Sequence, residues 1–154
     1  MVDSRAKGRT AEYQARDLFR HYTGLGWERT PQSGALSYLK TDIYLPHCDN
    51  AFAIEVKSYE EQLFDSKLFT NKSCLFLKFW EKVQEEARLR DQEPLLVFKH
   101  NRSKFYVATK IKPIVTDRFM HAPWLDCYIL LLEEWLEIEM NGISWEKGNN
   151  VNSV

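Results

Sequence analysis

The 154 residues make one ordinary domain, and 44% hydrophobic, 28% charged and 14% aromatic residues exclude a disordered chain, a collagen rod and a coiled coil. A net charge of −1 excludes a uniformly basic nucleic-acid binder, yet the charges are segregated. Residues 99–120 carry Lys99, Arg102, Lys104, Lys110, Lys112 and Arg118 against Asp117, whereas residues 121–154 carry only Lys147 against six acids.

In chain order, Asp3 and Ser4 are positioned to cap a helix running to about Tyr22. Its apolar stripe is Ala11, Ala15, Leu18, Phe19 and Tyr22, and Gly24 and Gly26 stop it. The helix opens with Arg5, Lys7 and Arg9. Trp27–Thr30 reads as a short strand, and residues 31–40 as a polar loop. Thr41–Leu45 and Ala51–Lys57 read as strands joined through a turn at residues 46–50. A second amphipathic helix covers about Lys72–Arg90, with Phe76, Phe79, Trp80, Val83 and Ala87 on one face. Leu95–Lys99 and Lys104–Thr109 make a hairpin around Asn101-Arg102. Tyr128–Leu132 is a last strand, and a short helix runs to about Met140 with Glu133 and Glu134 at its positive end. The expected organisation is a single domain over residues 1–140, followed by a flexible tail over residues 141–154.

No apolar run approaches the roughly 20 residues of a membrane helix, and no secretory leader opens the chain. Cys48, Cys74 and Cys127 are odd in number and have no C-x-x-C spacing, so reduced thiols in a cytoplasmic protein are expected, without structural zinc.

The chemistry concentrates at Ala51–Lys57. Phe52, Ile54 and Val56 alternate onto one face, which places Glu55 and Lys57 together on the other, roughly 7 Å apart. If this strand pairs antiparallel with the one before it, Asp42 sits opposite Glu55 with Cβ atoms about 5 Å apart. Two carboxylates that close repel unless a cation lies between them. Oxygen ligands without His or Cys favour Mg²⁺, with Mn²⁺ as a substitute, over zinc. Lys57 beside them can orient an attacking water or stabilise charge developing on a phosphate.

Asp42-Ile43-Tyr44 followed by Glu55-Val56-Lys57 resembles the signature of the PD-(D/E)XK nuclease superfamily, and within it the archaeal and phage Holliday junction resolvases. The basic first helix Lys7-Gly8-Arg9-Thr10-Ala11-Glu12, the loop Gln32-Ser33-Gly34, the strand Ile54-Glu55-Val56-Lys57 and the pieces Phe98-Lys99 and Phe105-Tyr106-Val107 occur in that family's order. The likeness spans about Arg5 to Thr109. Thr41 stands where the signature carries proline, and residues 110–154 match no part of it.

The resemblance implies an α/β fold, with a mixed central sheet flanked by helices in the restriction-endonuclease manner. It implies Asp42 and Glu55 as metal ligands, the Val56 carbonyl completing the shell, and Lys57 as charge stabiliser. Glu12 would help hold the metal, and Ser33 would sit at the rim of the active site. Arg5, Lys7 and Arg9 would grip backbone phosphates, with Lys99, Arg102 and Lys104 on the basic hairpin as a second DNA-binding set. Gln84 reads better as a solvated helix residue, and Tyr13, Trp27 and Tyr38 as core or loop aromatics.

The function implied is a Mg²⁺-dependent endonuclease cutting four-way junctions as a homodimer, with no small-molecule cofactor and no membrane. A flap, duplex or restriction nuclease of the same superfamily is one alternative. A catalytically silent scaffold for branched DNA is another. A small-molecule metal hydrolase lacks a His ligand and leaves the basic hairpin unexplained. The expected dimer surface draws on Trp124, Leu125, Ile129, Trp135, Leu136 and Ile138, which look surplus to a core already supplied.

Overall fold

The computed structural model describes residues 4–31, 41–60, 66–70 and 74–148. Helix α1 (Ser4–Thr23) turns its Ala11, Ala15 and Phe19 stripe inward, and ends where Gly24 takes a left-handed φ of 70°. Its Asp3/Ser4 cap lies outside the described side chains. Two-residue strands β1 (Glu28–Arg29) and β2 (Ile43–Tyr44) pair antiparallel with each other. Strand β3 (Phe52–Tyr59) leads through the one-turn helix α2 (Ser66–Phe69) to α3 (Leu75–Leu89) and then β4 (Glu93–His100). β3 and β4 run parallel, the α2–α3 segment forming their crossover. Strand β5 (Tyr106–Thr109) returns antiparallel to β4 after a turn in which Arg102 takes a φ of 66°. Strands β6 (Met120–Ala122) and β7 (Cys127–Leu131) complete the sheet in the order β3-β4-β5-β7-β6. Helix α4 (Leu132–Glu134) passes directly into a π-helical turn over Trp135–Glu139. The result is a mixed sheet with α1 on one face and α3 on the other, the α/β architecture expected.

Each central strand feeds two cores by simple alternation. Leu95 and Val97 of β4 join Phe19, Ile54, Val56 and Trp135 on the α1 side, whereas Leu96 and Phe98 join Phe76, Trp80 and Val83 on the α3 side. β3 is therefore covered on both faces, as parallel strands generally are. The alternation within Ala51–Lys57 predicted one buried face only, and Ala53, fully buried on the α3 side, shows the second.

Three expectations are corrected here. The strand containing Asp42 pairs with β1 rather than forming a ladder with β3, although the Asp42 N–H does donate to the Ile54 carbonyl at 2.8 Å. Ile129, Trp135 and Leu136 are core residues at 4%, 1% and 3% exposure, so they offer no interface. Within the expected tail, residues 141–148 pack onto the fold, and residues 149–154 lie outside the described residues. The Ala51 N–H donates to the Trp145 carbonyl at 2.9 Å, and the Trp145 ring packs among Phe19, Trp27, Phe52 and Trp135.

Trp135 joins the π-helical turn to this aromatic cluster. Trp135→Ala should cost about 3–5 kcal/mol in urea-induced unfolding, the range for a large aromatic removed from a closed core. Trp124→Ala, at a side chain half exposed in the native fold, should cost far less.

Candidate active site

β3 lies at an edge of the five-stranded sheet, and the chain segment before β2 crosses its middle. There the Asp42 carboxylate accepts the Val56 N–H at 2.7 Å, while its backbone N–H is held by Ile54. Asp42 is thus fixed from both ends against the strand that carries Glu55. The antiparallel ladder is absent, but the consequence drawn from it holds. Asp42 and Glu55 come near enough at the strand edge for the Asp42 carboxylate to raise the Glu55 pKa.

Glu55 is 7% exposed. Burial, and then the neighbouring Asp42 charge, push its carboxyl from the ordinary 4.5 up to about 8, against the pull of Lys57 and Lys82. The Lys57 ammonium lies 3.9 Å from Glu55 Oε2 and 5.1 Å from the centre of the Phe79 ring. That ring is supplied by α3, so the helix packed on the sheet aims the lysine at the carboxylates.

Glu12 comes from the middle of α1 and is nearly buried. Its Oε1 accepts a 2.7 Å charge-assisted bond from Arg29 Nε on β1. Desolvation first, then the Asp42 charge, raise its pKa, and Arg29 and Lys57 oppose the rise. Asp42, Glu55, Lys57 and Glu12 therefore share one electrostatic neighbourhood built from three separate elements. Val56 is held between Asp42 and the core by its own N–H. Ser33 and Tyr38 lie outside the described residues. Gln84 is half-buried on α3.

Two members of the neighbourhood were not singled out from the sequence. Arg29 fixes Glu12 and stacks its guanidinium over Tyr13 at 5.2 Å. The signal was its spacing: Arg29 is two residues from the buried Trp27, which sends both side chains inward from an extended segment. Lys82, one turn beyond Phe79 on α3, adds a second cation facing Glu55.

The two basic segments are brought together. Lys7 Nζ donates to Asn101 Oδ1 at 2.7 Å, which docks the first turn of α1 on the β4–β5 turn between Lys99 and Arg102. A cleft of about 400 Å³ opens beside this contact, with Lys7, Lys99, Gln14, Ser58 and Asn101 in its lining and Glu60 as its one acid. Ser58 follows Lys57 on β3 and, by alternation, turns to the α1 side, so the cleft adjoins the strand edge three residues beyond Glu55. Arg5, Arg9 and Arg102 are exposed around it. Lys104 lies further along, 3.4 Å from Glu133. The cysteines are free and scattered, and among the described residues no helix is long and apolar enough to cross a membrane.

The family described as "Phage putative PDDEXK endonuclease" matches residues 3–149. The chain belongs to this family. It is 35% identical over 148 residues to Protein D14 of Escherichia phage T5, covering 88% of this chain and 92% of that protein. Among solved structures, a Holliday junction resolvase from Archaeoglobus fulgidus aligns with 82% of this chain and 84% of its own at 15% identity and a TM-score of 0.42. The family match bears out the PD-(D/E)XK membership inferred from the sequence.

A pH dependence follows from Glu55. Between about pH 5 and 8 the folded protein keeps the Glu55 proton that the unfolded chain gives up. The native state then binds more protons than the unfolded state, so stability falls as pH rises through this window. In EDTA the melting temperature should decline from pH 5 to 8. The Glu55 contribution is at most about 1.4 kcal/mol per pH unit. Glu55→Gln, which cannot titrate, should flatten the decline. An identical slope in the two proteins would show that Glu55 is ionised throughout.

Proposed function

We propose that the protein is a divalent-metal-dependent DNA endonuclease that acts on four-way junctions, cutting as a homodimer. The observation that carries the nuclease reading is the buried Glu55 beside the half-buried Asp42 at a strand edge, with the Lys57 ammonium 3.9 Å from Glu55. Two adjoining carboxyl groups in a poorly solvated place strain against ionisation, and a cation relieves both. Their donors are all oxygen, which suits Mg²⁺ or Mn²⁺. Among the described residues no group of three or more His, Cys, Asp or Glu side chains gathers to enclose a metal. A two-carboxylate set fits the way Mg²⁺ is commonly held, with substrate phosphate and water completing its shell.

Asp42, Glu55 and the Val56 carbonyl would hold the metal, which when bound would polarise the scissile phosphate and lower the pKa of a water. The protein's own groups do the rest. Asp42, pinned through Val56 and Ile54, fixes where the phosphate is presented. Lys57, steered by the Phe79 ring, places a cation where charge develops on the phosphoryl oxygens. Glu12, oriented by Arg29, presents a carboxylate whose raised pKa suits holding or passing a proton of the attacking water. The cleft at Lys7, Lys99 and Asn101 would take the neighbouring backbone phosphates.

Junction selectivity is supported by the order of elements from Arg5 to Thr109. The need for two symmetric cuts favours a pair of identical sites on a two-fold dimer. Such work on DNA would take place in the cytoplasm of a phage-infected host. Incubation with a synthetic four-way junction, a flap and a linear duplex, in Mg²⁺ and in EDTA, tests this. Paired symmetric nicks on the junction, absent in EDTA, are expected, with light scattering giving twice the chain mass. Cutting confined to flap or duplex would replace junction resolution with that activity. Binding without cutting in either Mg²⁺ or Mn²⁺ would make the protein a scaffold.

A further inference from the structure

The segment between β5 and β6 lies outside the motifs from Arg5 to Thr109, yet its backbone is held by buried carboxylate hydrogen bonds. Glu139, 6% exposed, accepts three consecutive backbone N–H groups from Ile114, Val115 and Thr116 at 2.8, 2.9 and 2.6 Å. Glu134 accepts the Thr116 hydroxyl at 2.8 Å. Glu139 is the last residue of the π-helical turn, a widened turn of the kind that often serves a specific placement. Either side of the pinned stretch, Ile111 and Phe119 pack against the core on the α1 side.

What this clamp presents is unusual. The side chains of Ile114 and Val115 are 86% and 65% exposed. Water around two adjacent branched apolar side chains is unfavourable, and a flexible loop would tuck them away. Here a buried carboxylate holds the backbone so that they project. Lys112 and Arg118 flank the tip in sequence and are exposed, with Asp117 between them, while the Lys110 ammonium lies 3.5 Å from Asp126 Oδ2. A projecting apolar point flanked by the exposed Lys112 and Arg118 matches a ligand that offers apolar faces between phosphates.

We infer that Ile114 and Val115 form a wedge that enters the base stack of DNA at a branch point, with Lys112 and Arg118 on the flanking phosphates. Apolar side chains inserted between base steps are a general means of engaging deformed DNA. A branch point exposes base faces that a linear duplex keeps stacked, so the wedge favours branched over linear DNA. Geometry permits the same molecule to use wedge and cleavage site together. Thr109 pairs with Leu95, which pairs with Ile54, placing the root of the loop about 10 Å across the sheet from the residue before Glu55. Five further residues reach at most about 17 Å. The tip therefore lies within one turn of duplex, about 34 Å, of the carboxylates.

This inference rests on the DNA-endonuclease reading, and the test separates the two. The double variant Ile114→Ser/Val115→Ser keeps every backbone N–H that Glu139 receives. Fluorescence of 2-aminopurine placed beside the branch point of a four-way junction, and affinity for that junction and for a linear duplex, are measured in EDTA. Cleavage is measured in Mg²⁺. The parent protein should raise the fluorescence by unstacking the probe. The variant should lose that rise and bind the junction about tenfold more weakly, with duplex affinity and melting temperature unchanged. Equal fluorescence and junction affinity in parent and variant would overturn the wedge while leaving the nuclease standing. A parent that binds and cuts no DNA would overturn both. A variant that turns from dimer to monomer in light scattering would make the tip a contact between copies and likewise overturn the wedge.

Discussion

Glu55→Ala should abolish DNA cleavage, by about 10³-fold or more, while leaving DNA affinity in place. A bound metal stabilises a phosphoryl-transfer transition state by several kcal/mol, and each 1.36 kcal/mol is tenfold in rate. Taking away a buried acid cannot weaken attraction to phosphates by charge. Nor should it unfold the protein. The Glu55 carboxyl is held near its neutral form at a desolvation cost, so its removal relieves strain against Asp42. Asp42 differs, because its Oδ2 satisfies the Val56 N–H at 2.7 Å. Asp42→Ala would leave that donor without its partner at a cost of about 1–3 kcal/mol. Asp42→Asn keeps an acceptor and is the cleaner variant. It should be as inactive as Glu55→Ala and nearly as stable as the parent. Lys57→Ala should also be inactive, but should retain metal binding in an Mn²⁺ titration because both carboxylates remain. Cleavage surviving in Glu55→Ala would remove the site from this strand edge.

The strand that carries this site was legible because Phe52, Ile54 and Val56 alternate within a short run of β-favouring residues, and Glu55 and Lys57 follow from the period of two. The nearness of Asp42 to Glu55 was also legible, though through the wrong intermediate. A two-residue strand chooses its partner by contacts that local pattern does not encode, and β2 found β1. Arg29 went unnoticed because its importance lies in a partner seventeen residues away on another element. The second half of the chain was least legible. Trp135 and Leu136 looked surplus because the segment before Lys110 was taken to supply the core by itself. A three-layer fold has two cores to fill, and the turn that bears them closes the α1 side together with Trp145. The polar Asn-Gly-Ser composition around Trp145 predicted fraying, but one tryptophan seated among four aromatic rings outweighs several poor propensities.

Affinity for junction DNA should fall about 10³- to 10⁵-fold between 50 and 200 mM salt if six to ten phosphates are neutralised, with little dependence on base sequence. The structure makes this a prediction about one surface. Lys7 is tied to Asn101 at 2.7 Å, so the first turn of α1 and the β4–β5 turn form a continuous basic edge beside the cleft at Ser58. Each phosphate contact contributes about 0.9 to the slope of log K against log salt. Replacing Arg5, Lys7 and Arg9 with alanine should flatten the slope by up to about three, and replacing Lys99 and Arg102 by up to about two. Lys104 should matter less, because its ammonium already lies 3.4 Å from Glu133 and is largely exposed to screening. Lys7→Ala alone carries a further consequence. It removes one cation and also frees the β4–β5 turn from α1, so its effect should exceed that of Arg9→Ala, whose side chain is exposed. Slopes unchanged in both multiple variants would show that DNA reaches the carboxylates from another side of the sheet. A change confined to the Lys99 and Arg102 variant would reduce the first turn of α1 to a support for the hairpin.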